Sequence, residues 1–423
     1  MERRMKDIMK RLRGNGRPAT LLGIGPMSEE VIRASVRTAR DFDFPLMLIA
    51  SRNQVDRQDF GGGYILGGTD QFAFVKLVRQ MVMEEGYKGP VFICRDHGGP
   101  WQRDEEYRGK LEFAQAMERA KLSYRSDIEA GFNLLHIDPT KDPHVAGALP
   151  LNVVLDRVVE LIGYTESVRR ELGLSAPISY EVGTEETAGG LTGDAAFEAF
   201  LHELYNRLER EALPTPDLIV GQTGTLVRMG TNVGRVDGDK ARHLEAIARK
   251  YGIGLKEHNA DYLAENVIAI HPAMGITAAN VAPEYGQVQT QAYLELASLE
   301  EEMLQTSSVP KSHLSEVIKN EVIASERWRK WLVGEAKSWT VKDLLMHPKE
   351  LDSLAKGCGH YIYPNAGFRI ARDRLYNNLG RISLEMSPEE IVIRTIQVSI
   401  ERYVSGFNLR NLNSYLVASD LHS

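Results

Sequence analysis

Short apolar segments alternate with longer amphipathic segments from Thr20 to about Met274, and this alternation constrains the fold more than any other feature of the sequence. The apolar segments have the length of buried strands, and the segments between them have helical periodicity. Strands are predicted at 20–25, 45–50, 91–94, 133–138, 178–186, 217–222, 254–259 and 266–272. Eight strands that alternate with helices are typical of a (β/α)8 TIM barrel, the α/β fold class that we predict. The alternative is an open doubly wound sheet, but no Gly-x-Gly-x-x-Gly turn follows the first strand.

Beyond Ala282 the pattern becomes helical, with predicted helices at 287–305, 313–332, 341–354 and 388–403. A chain of 423 residues is long enough for one large barrel and an extension. We therefore predict a TIM barrel with an N-terminal covering helix over 1–282 and a helical C-terminal extension over 283–423. The extension is expected to cap the barrel, to assemble the protein, or both. Its aromatic loop at 358–365 is predicted to line a pocket mouth.

Every predicted strand except the first ends in polar or ionisable side chains, and the carboxyl ends of the strands carry the active site in a barrel. These residues are Asn53 and Gln54, Asp96 and His97, His136 and Asp138, Glu181 and Glu185, Gln222, His258 and Asn259, and His271. Isolated charges in a dry barrel mouth are costly, so we expect them to be paired, hydrated or bound to a metal. The structural alternative is that single histidines are hydrogen-bonded core residues. Because polar or ionisable residues recur at the ends of so many predicted strands, a functional site is favoured.

Imidazoles and carboxylates on different strands suit a divalent cation. The ligand set that we expect is His97, His258 and one of Glu185, Glu181 or Asp138, with Glu185 preferred. Zinc is the preferred ion, and manganese, nickel and cobalt are the alternatives. Water or substrate oxygens would complete the coordination shell.

Such a cation would polarise a carbonyl oxygen and stabilise the enediolate-like intermediate that remains when a carbon–carbon or carbon–hydrogen bond breaks. A nearby carboxylate would move the proton. Asp96 is the first candidate because it adjoins a proposed ligand, and Glu181 and Asp138 are the second. The remaining strand-end residues are candidates for substrate binding: Asn53, Gln54, His136, Gln222, Asn259 and His271.

Composition excludes several other classes of protein. The formal net charge is −7 and no dense basic tract is present, which argues against nucleic-acid binding. The two cysteines, Cys94 and Cys358, cannot form a disulfide framework, and this fits a reducing cytoplasm. No apolar run of about 18 residues predicts a membrane span, and the basic segment 1–13 lacks the apolar core of a signal peptide.

Five short motifs, in this order, resemble the Z-subunit (GatZ/KbaZ) family of class II tagatose-bisphosphate aldolase. They are Asn53-Gln54-Val55 before a Gly-Gly-Tyr loop, Asp96-His97-Gly98-Gly99-Pro100, His136-Ile137-Asp138, Gly183-Thr184-Glu185, and Glu257-His258-Asn259-Ala260-Asp261-Tyr262. The resemblance covers about Thr20 to Asn378 and implies a TIM barrel related to the metal-dependent class II ketose-bisphosphate aldolases. In those enzymes an Asp-His pair supplies a catalytic acid and a metal ligand, which Asp96 and His97 match, and His258 matches the later ligand. Asp261, in the last motif, joins the substrate-binding candidates.

The chain departs from the family pattern at several positions. Arg95 stands where the family usually has glycine before the Asp-His pair, and His271 with Pro272 stands where the family tends to have lysine. Gln222 ends the sixth strand, where a class II aldolase would supply a histidine. Glycine-rich phosphate-binding loops are not obvious after the seventh and eighth strands.

Two hypotheses follow. We favour a metal-dependent aldolase or ketose epimerase that acts on a ketose or ketose phosphate, because a scaffold has no physical need for so many ionisable strand ends. The alternative, implied by the family resemblance, is a non-catalytic subunit that stabilises a class II tagatose-bisphosphate aldolase. The expected partners are a small sugar or sugar phosphate, an aldolase subunit under the second hypothesis, and further copies of this chain in a homo-oligomer.

Overall fold

The computed structural model describes residues 5–14, 17–183, 193–228, 230–382 and 384–418. Within these residues, eight parallel strands close into a barrel, which confirms the predicted fold class. The barrel strands are β1 Leu21–Ile24, β2 Leu46–Ser51, β3 Val91–Gly98, β4 Leu134–Ile137, β5 Ser179–Gly183, β6 Leu218–Val220, β9 Gly254–Glu257 and β10 Ile276–Val281. They pair in the order β1-β10-β9-β6-β5-β4-β3-β2, and a short antiparallel hairpin, β7 Val227–Arg228 and β8 Thr231–Asn232, lies between β6 and the next barrel strand.

Helices surround the barrel and form the C-terminal extension. Those up to the last barrel strand are α1 Met5–Gly14, α2 Glu29–Phe42, α3 Gln71–Glu84, α4 Asp104–Arg108, α5 Phe113–Ala130, α6 Leu151–Glu171, α7 Asp194–Arg210, α8 Gly238–Lys250 and α9 Glu265–Ile270. The extension contains α10 Pro283–Met303, α11 Leu314–Ser325, α12 Val341–Leu345, α13 Pro348–Cys358, α14 Ala366–Leu379, α15 Pro388–Gly406 and α16 Leu412–Ala418. Short 3-10 helices lie at Gln58–Phe60, Ile65–Gly67, Pro272–Met274, Arg327–Trp331, Gly334–Ser338 and Gly359–Tyr361.

Local sequence explains where the helices begin. Ser28 caps α2 because its hydroxyl accepts the backbone N–H of Val31 at 3.1 Å, and two glutamates occupy the first turn, where the helix dipole favours acids. Helix α1 buries Met5, Ile8 and other apolar residues on one face. Its Lys6 lies 3.7 Å from Asp217, just before β6, so α1 contacts the amino-terminal end of the barrel.

The predicted eighth strand at 266–272 is wrong. That apolar segment forms α9 and the start of a 3-10 helix, and the eighth strand is β10, four residues further on. A short apolar run does not by itself distinguish a strand from a helix, and β10 contains small residues at Ala278 and Ala279 that made it inconspicuous. As a result, His271 precedes the eighth strand and does not end it.

The C-terminal extension packs against α2 and α9 on the outside of the barrel. Thr20 donates its backbone N–H to the Phe407 carbonyl at 3.1 Å, and the Tyr403 hydroxyl donates to the Ala260 carbonyl at 3.0 Å. The predicted helix at 313–332 ends at Ser325 and continues as a 3-10 helix, and α14 was not predicted. No helix in the described ranges is long and apolar enough to cross a membrane.

Candidate active site

Three imidazoles converge at the carboxyl ends of the barrel strands. His97 in β3, His136 in β4 and His258 directly after β9 each offer one nitrogen, and these nitrogens lie within 4.8 Å of one another. We call these three residues the histidine cluster. The His136 and His258 side chains are buried and that of His97 is partly exposed, so the cluster opens at one side. The sequence had assigned His136 to substrate binding, whereas the structure places it between the two expected ligands.

A β-bulge in β3 explains how adjacent side chains serve one site. Arg95 aligns with Leu135 of β4 but Gly98 aligns with Ile137, so β3 contains one extra residue. His97 adopts a φ of 43°, in the left-handed region. The bulge separates Arg95, which faces outward and forms an ion pair with the buried Asp127, from the residues that face the barrel mouth.

Asp138 orients His97. Its Oδ2 accepts from His97 Nδ1 at 2.7 Å, and its Oδ1 accepts from the Thr140 hydroxyl at 2.5 Å. Burial raises the pKa of this carboxyl group, but the hydrogen bond and charge of His97 outweigh burial and hold the pKa well below its usual range. Asp138 therefore stays ionised and fixes the proton of His97 on Nδ1, which leaves Nε2 as the nitrogen with a lone pair for a metal. Carboxylates commonly support metal-binding histidines in this way.

A buried ion pair lies beside His258. Lys256 Nζ lies 2.5 Å from Glu181 Oε2, and His258 Nε2 lies 2.8 Å from Glu181 Oε1. Burial raises the pKa of Glu181, but Lys256 and the nearby histidines outweigh burial and lower it well below its usual value. Sequence reasoning missed Lys256. The sequence did contain an indication of its role. Lys256 is two residues before His258, and side chains two residues apart on a strand lie on the same face, here the inner one.

Asp96 faces the barrel mouth from the other side of the cluster. Its Oδ1 accepts from Asn280 Nδ2 at 3.1 Å and lies 4.0 Å from His136 Nδ1. The Asp96 side chain is 14% exposed, whereas those of Asp138 and Glu181 are at most 1% exposed. Asn280 was also missed, because the eighth strand had been predicted too early in the chain.

His136 has the most enclosed position in the cluster. Its Nδ1 accepts the His97 backbone N–H at 3.1 Å, and its buried Nε2 faces Gly183 and has no hydrogen-bond partner among the described residues. Burial lowers the pKa of His136, which favours the neutral imidazole that coordinates metals. Three such imidazoles, two of them supported by carboxylates, fit a divalent cation such as zinc. Coordination through Nδ1 would replace the hydrogen bond from the His97 backbone.

Other predicted site residues fix the backbone of the rim loops. Asn53 accepts the Asp104 backbone N–H at 3.0 Å, and Gln54 accepts that of Ser51 at 2.8 Å. Asn259 has a φ of 61°, and its carbonyl accepts from Asn232 Nδ2 at 3.0 Å. Asp261 is buried and accepts the backbone N–H groups of residues 282 and 284 at the start of α10. These contacts give Gln54 and Asp261 structural partners, and their substrate-binding role stays a prediction.

The remaining predicted residues have different outcomes. Gln222 is partly buried directly after β6. Glu185 lies outside the described residues. His271 is buried elsewhere, where its Nε2 lies 2.7 Å from Glu257 and its Nδ1 lies 2.7 Å from the Val267 carbonyl. Glu257 is on the face of its strand opposite to His258, so His271 lies against the outside of the barrel wall. The substrate role predicted for His271 is therefore corrected.

A buried charge network holds the loops after β2 and β3 together. Arg52, with no exposed surface, donates to Asp56 at 2.9 Å, to both carboxylate oxygens of Glu106 at 2.9 and 3.0 Å, and to the Gly99 carbonyl at 2.8 Å. Arg103 donates to the Gly62 carbonyl at 3.0 Å. Because these contacts cross from the loop after β2 to the segment after β3, the two segments form one side of the barrel mouth.

Comparison with known proteins adds a family match. Residues 5–206 match the family described as D-tagatose-1,6-bisphosphate aldolase subunit GatZ/KbaZ-like, which confirms the resemblance noted in the sequence. The matched range includes His97, His136 and Glu181. His258, Lys256 and the C-terminal extension lie beyond it. No curated protein matches the chain in sequence.

Several solved structures are similar in fold. A probable tagatose 6 phosphate kinase from Sinorhizobium meliloti has 18% sequence identity and a TM-score of 0.76, over 92% of this chain and 100% of that chain. A fructuronate-tagaturonate epimerase from Cohnella laeviribosi has 12% identity and a TM-score of 0.55, over 92% and 81%. A fructose-bisphosphate aldolase from Campylobacter jejuni has 12% identity and a TM-score of 0.51, over 96% and 95%. At these identities the likeness is one of fold.

Proposed function

Because residues 5–206 resemble the GatZ/KbaZ-like family, we propose that this chain is a metal-dependent enzyme that acts on a ketose or ketose phosphate, as an aldolase or an epimerase. The observation that carries the proposal is the histidine cluster beside Asp96: three ligand nitrogens lie within 4.8 Å of one another, with a carboxylate 4.0 Å from one ring. In place of the predicted Glu185, we propose His136 as the third ligand.

The residues around the cluster have separable roles in this proposal. A divalent cation held by His97, His136 and His258 supplies Lewis-acid polarisation of the substrate carbonyl. Asp138 and Glu181 hold the rings of His97 and His258 in place, and neither serves as the proton carrier because both are buried and kept ionised by their partners.

Asp96 is the proposed proton carrier. Of the three candidate carboxylates, it is the one that solvent or substrate reaches, and Asn280 fixes its orientation. Retro-aldol cleavage removes the proton of the hydroxyl group on the carbon β to the carbonyl and returns a proton to the α carbon. Epimerisation removes and returns a proton at the α carbon, so a single carboxylate such as Asp96 serves either reaction. The proton carrier is therefore proposed from burial and contacts, and the reaction stays open between lyase and isomerase.

Metal analysis with matched histidine variants tests the proposal. The purified chain is stripped with a chelator and titrated with zinc, manganese, nickel and cobalt, and turnover is measured on ketoses and ketose phosphates. His136→Ala should abolish stoichiometric metal binding, whereas His271→Ala, which removes an equally buried imidazole outside the cluster, should retain it. Asp96→Asn should retain metal and lose about 100-fold or more in kcat. A wild-type chain that binds none of these metals and turns over no sugar would refute the proposal.

The second candidate function is that of a non-catalytic aldolase subunit. The family match favours it, because the family is described as an aldolase subunit. Under this hypothesis an aldolase chain should co-purify with this protein and lose stability without it. Turnover of sugar by the isolated chain would exclude this function and support the first.

A further inference from the structure

We propose that Arg327 and Lys330, in the C-terminal extension, bind the anionic terminal group of the sugar whose carbonyl end faces the histidine cluster. The ligand chemistry is a phosphate ester or a carboxylate. This inference rests on the proposed function for the position of the sugar, and it assigns the extension a role in choosing the substrate. Both residues belong to the 3-10 helix Arg327–Trp331, which follows α11.

Both cations share one carboxylate through long ion pairs. Arg327 Nη1 lies 3.5 Å and Lys330 Nζ lies 3.6 Å from Asp104 Oδ2. Arg327 Nη1 is buried and makes no hydrogen bond to any described residue. A buried guanidinium N–H without an acceptor is costly, and an anionic ligand would supply that acceptor.

More than one cation acts on Asp104. The pKa of Asp104 is lowered against the effect of burial by Lys330 and Arg327 and, to a smaller extent, by Lys141 and Arg108. Four cations thus act on one carboxylate. The pKa of Lys330 is itself lowered, first by desolvation and then by repulsion from Arg327, against the attraction of Asp104. A second anion would relieve this repulsion.

Aromatic packing holds the two cations in place. The Arg327 guanidinium lies 4.9 Å and Lys330 Nζ lies 4.7 Å from the ring centroid of Tyr361, and Tyr361 in turn packs edge-on against Tyr64 at 4.9 Å. Tyr64 belongs to the loop after β2, so these contacts join the extension to the barrel rim. Cations ordered in this way lose little side-chain freedom when a ligand binds.

A short series of hydrogen bonds connects Asp104, the carboxylate that both cations face, to the histidine cluster. Asp104 donates its backbone N–H to Asn53 at 3.0 Å, and Asn53 donates to the Gln102 carbonyl at 3.2 Å. Gln102 Nε2 donates to the carbonyl of Asp138, the residue that orients His97, at 2.9 Å. The Oε1 atom of Gln102 is buried and has no partner among the described residues, so it is an acceptor for a sugar hydroxyl between the two ends.

The test is calorimetric titration of the wild type and of Arg327→Gln, Lys330→Gln and the double variant. The probes are fructose 6-phosphate, glucuronate, neutral fructose and inorganic phosphate. Wild type should bind at least one of the two anionic sugars more tightly than fructose, and the tighter one identifies the anion as phosphate or carboxylate. The double variant should lose about tenfold to a hundredfold in affinity for that sugar, with fructose binding unchanged.

Arg329→Gln is the matched control. It removes a cation from the same 3-10 helix, but Arg329 donates to the Trp339 carbonyl at 3.1 Å and pairs with Glu326 at 3.2 Å, away from Asp104. This variant should bind all probes as wild type does. Thermal melting confirms that each variant is folded.

Equal affinity of the double variant and wild type for the anionic sugars would overturn the inference, as would a wild type that prefers neither anion to fructose. Metal content is measured in parallel. Loss of anion binding in the double variant with metal content unchanged supports the anion site. Anion binding that depends on Arg327 and Lys330 in a chain that binds no metal would support the site while refuting the proposed function.

Discussion

Replacing Lys256 by methionine should destabilise the fold strongly, because it leaves a charged carboxylate without its main partner inside the barrel. Lys256 Nζ and Glu181 Oε2 are 2.5 Å apart, and their side chains are 1% and 0% exposed, so neither water nor salt screens the pair. Removing one partner of a buried ion pair costs about 3–5 kcal/mol. The hydrogen bond from His258 to the other oxygen of Glu181 remains, so a cost near the lower figure is expected.

The double variant Lys256→Met with Glu181→Gln separates the loss of the pair from the cost of an unpaired charge. The glutamine oxygen still accepts from His258, and no charge is left buried. The double variant should therefore be more stable than Lys256→Met alone, with a coupling energy of about 2 kcal/mol or more.

These free energies are measured by urea unfolding of the metal-free protein, followed by both circular dichroism and tryptophan fluorescence. Coincident transitions in the two signals show that unfolding is two-state, which the free energies require. Lys250→Met is a matched control, because Lys250 forms a 2.7 Å ion pair with Glu198 and the two side chains are 61% and 45% exposed. Such surface pairs contribute at most about 1 kcal/mol. A cost below about 1 kcal/mol for Lys256→Met, or a double variant whose cost equals the sum of the two single costs, would refute the argument.

Three further predictions follow from the site and its surroundings. Asp138→Asn should weaken metal binding about 10- to 100-fold, measured by competition with a chelator, because His97 loses the carboxylate that orients its ring. Gly183→Ala should also weaken metal binding, since the new methyl group would lie 2.8 Å from His136 Nε2 and displace the imidazole ring. Unchanged metal affinity would contradict this position of the His136 ring. Burial raises the pKa of Asp261 from 3.8 to about 7, so its folded form keeps a proton that the unfolded chain releases. The free energy of unfolding should therefore fall between about pH 4 and 7, by up to roughly 4 kcal/mol, and Asp261→Asn should flatten this part of the profile.

The barrel was predictable from sequence because its signal is repeated along the chain. One misplaced strand did not hide the alternation of strands and helices. The same error did affect the site, since an assignment displaced by a few residues substituted His271 for Asn280. Apolar pattern locates buried segments, but it does not decide between α9 and β10 when both are short.

The candidate site was predictable only in part. Position at a strand end made His97, His136 and His258 candidates. Deciding which of them are metal ligands and which bind substrate depends on where each side chain points, and the sequence does not give that direction. The bulge in β3 sets that direction for His97. A bulge is defined by the pairing of β3 with β4, and the local sequence of β3 does not contain that pairing. Lys256 was overlooked for a related reason: its partner, Glu181, is 75 residues away in the chain.

The guanidinium of Arg52 contacts Asp56 in its own loop and makes three further contacts to Gly99 and Glu106 after β3, and this has a consequence for ligand affinity. A binding surface whose backbone is already fixed loses little conformational entropy when a small molecule arrives. The side of the mouth formed by these loops is therefore preorganised, and most of the interaction energy that a ligand gains there is available for affinity.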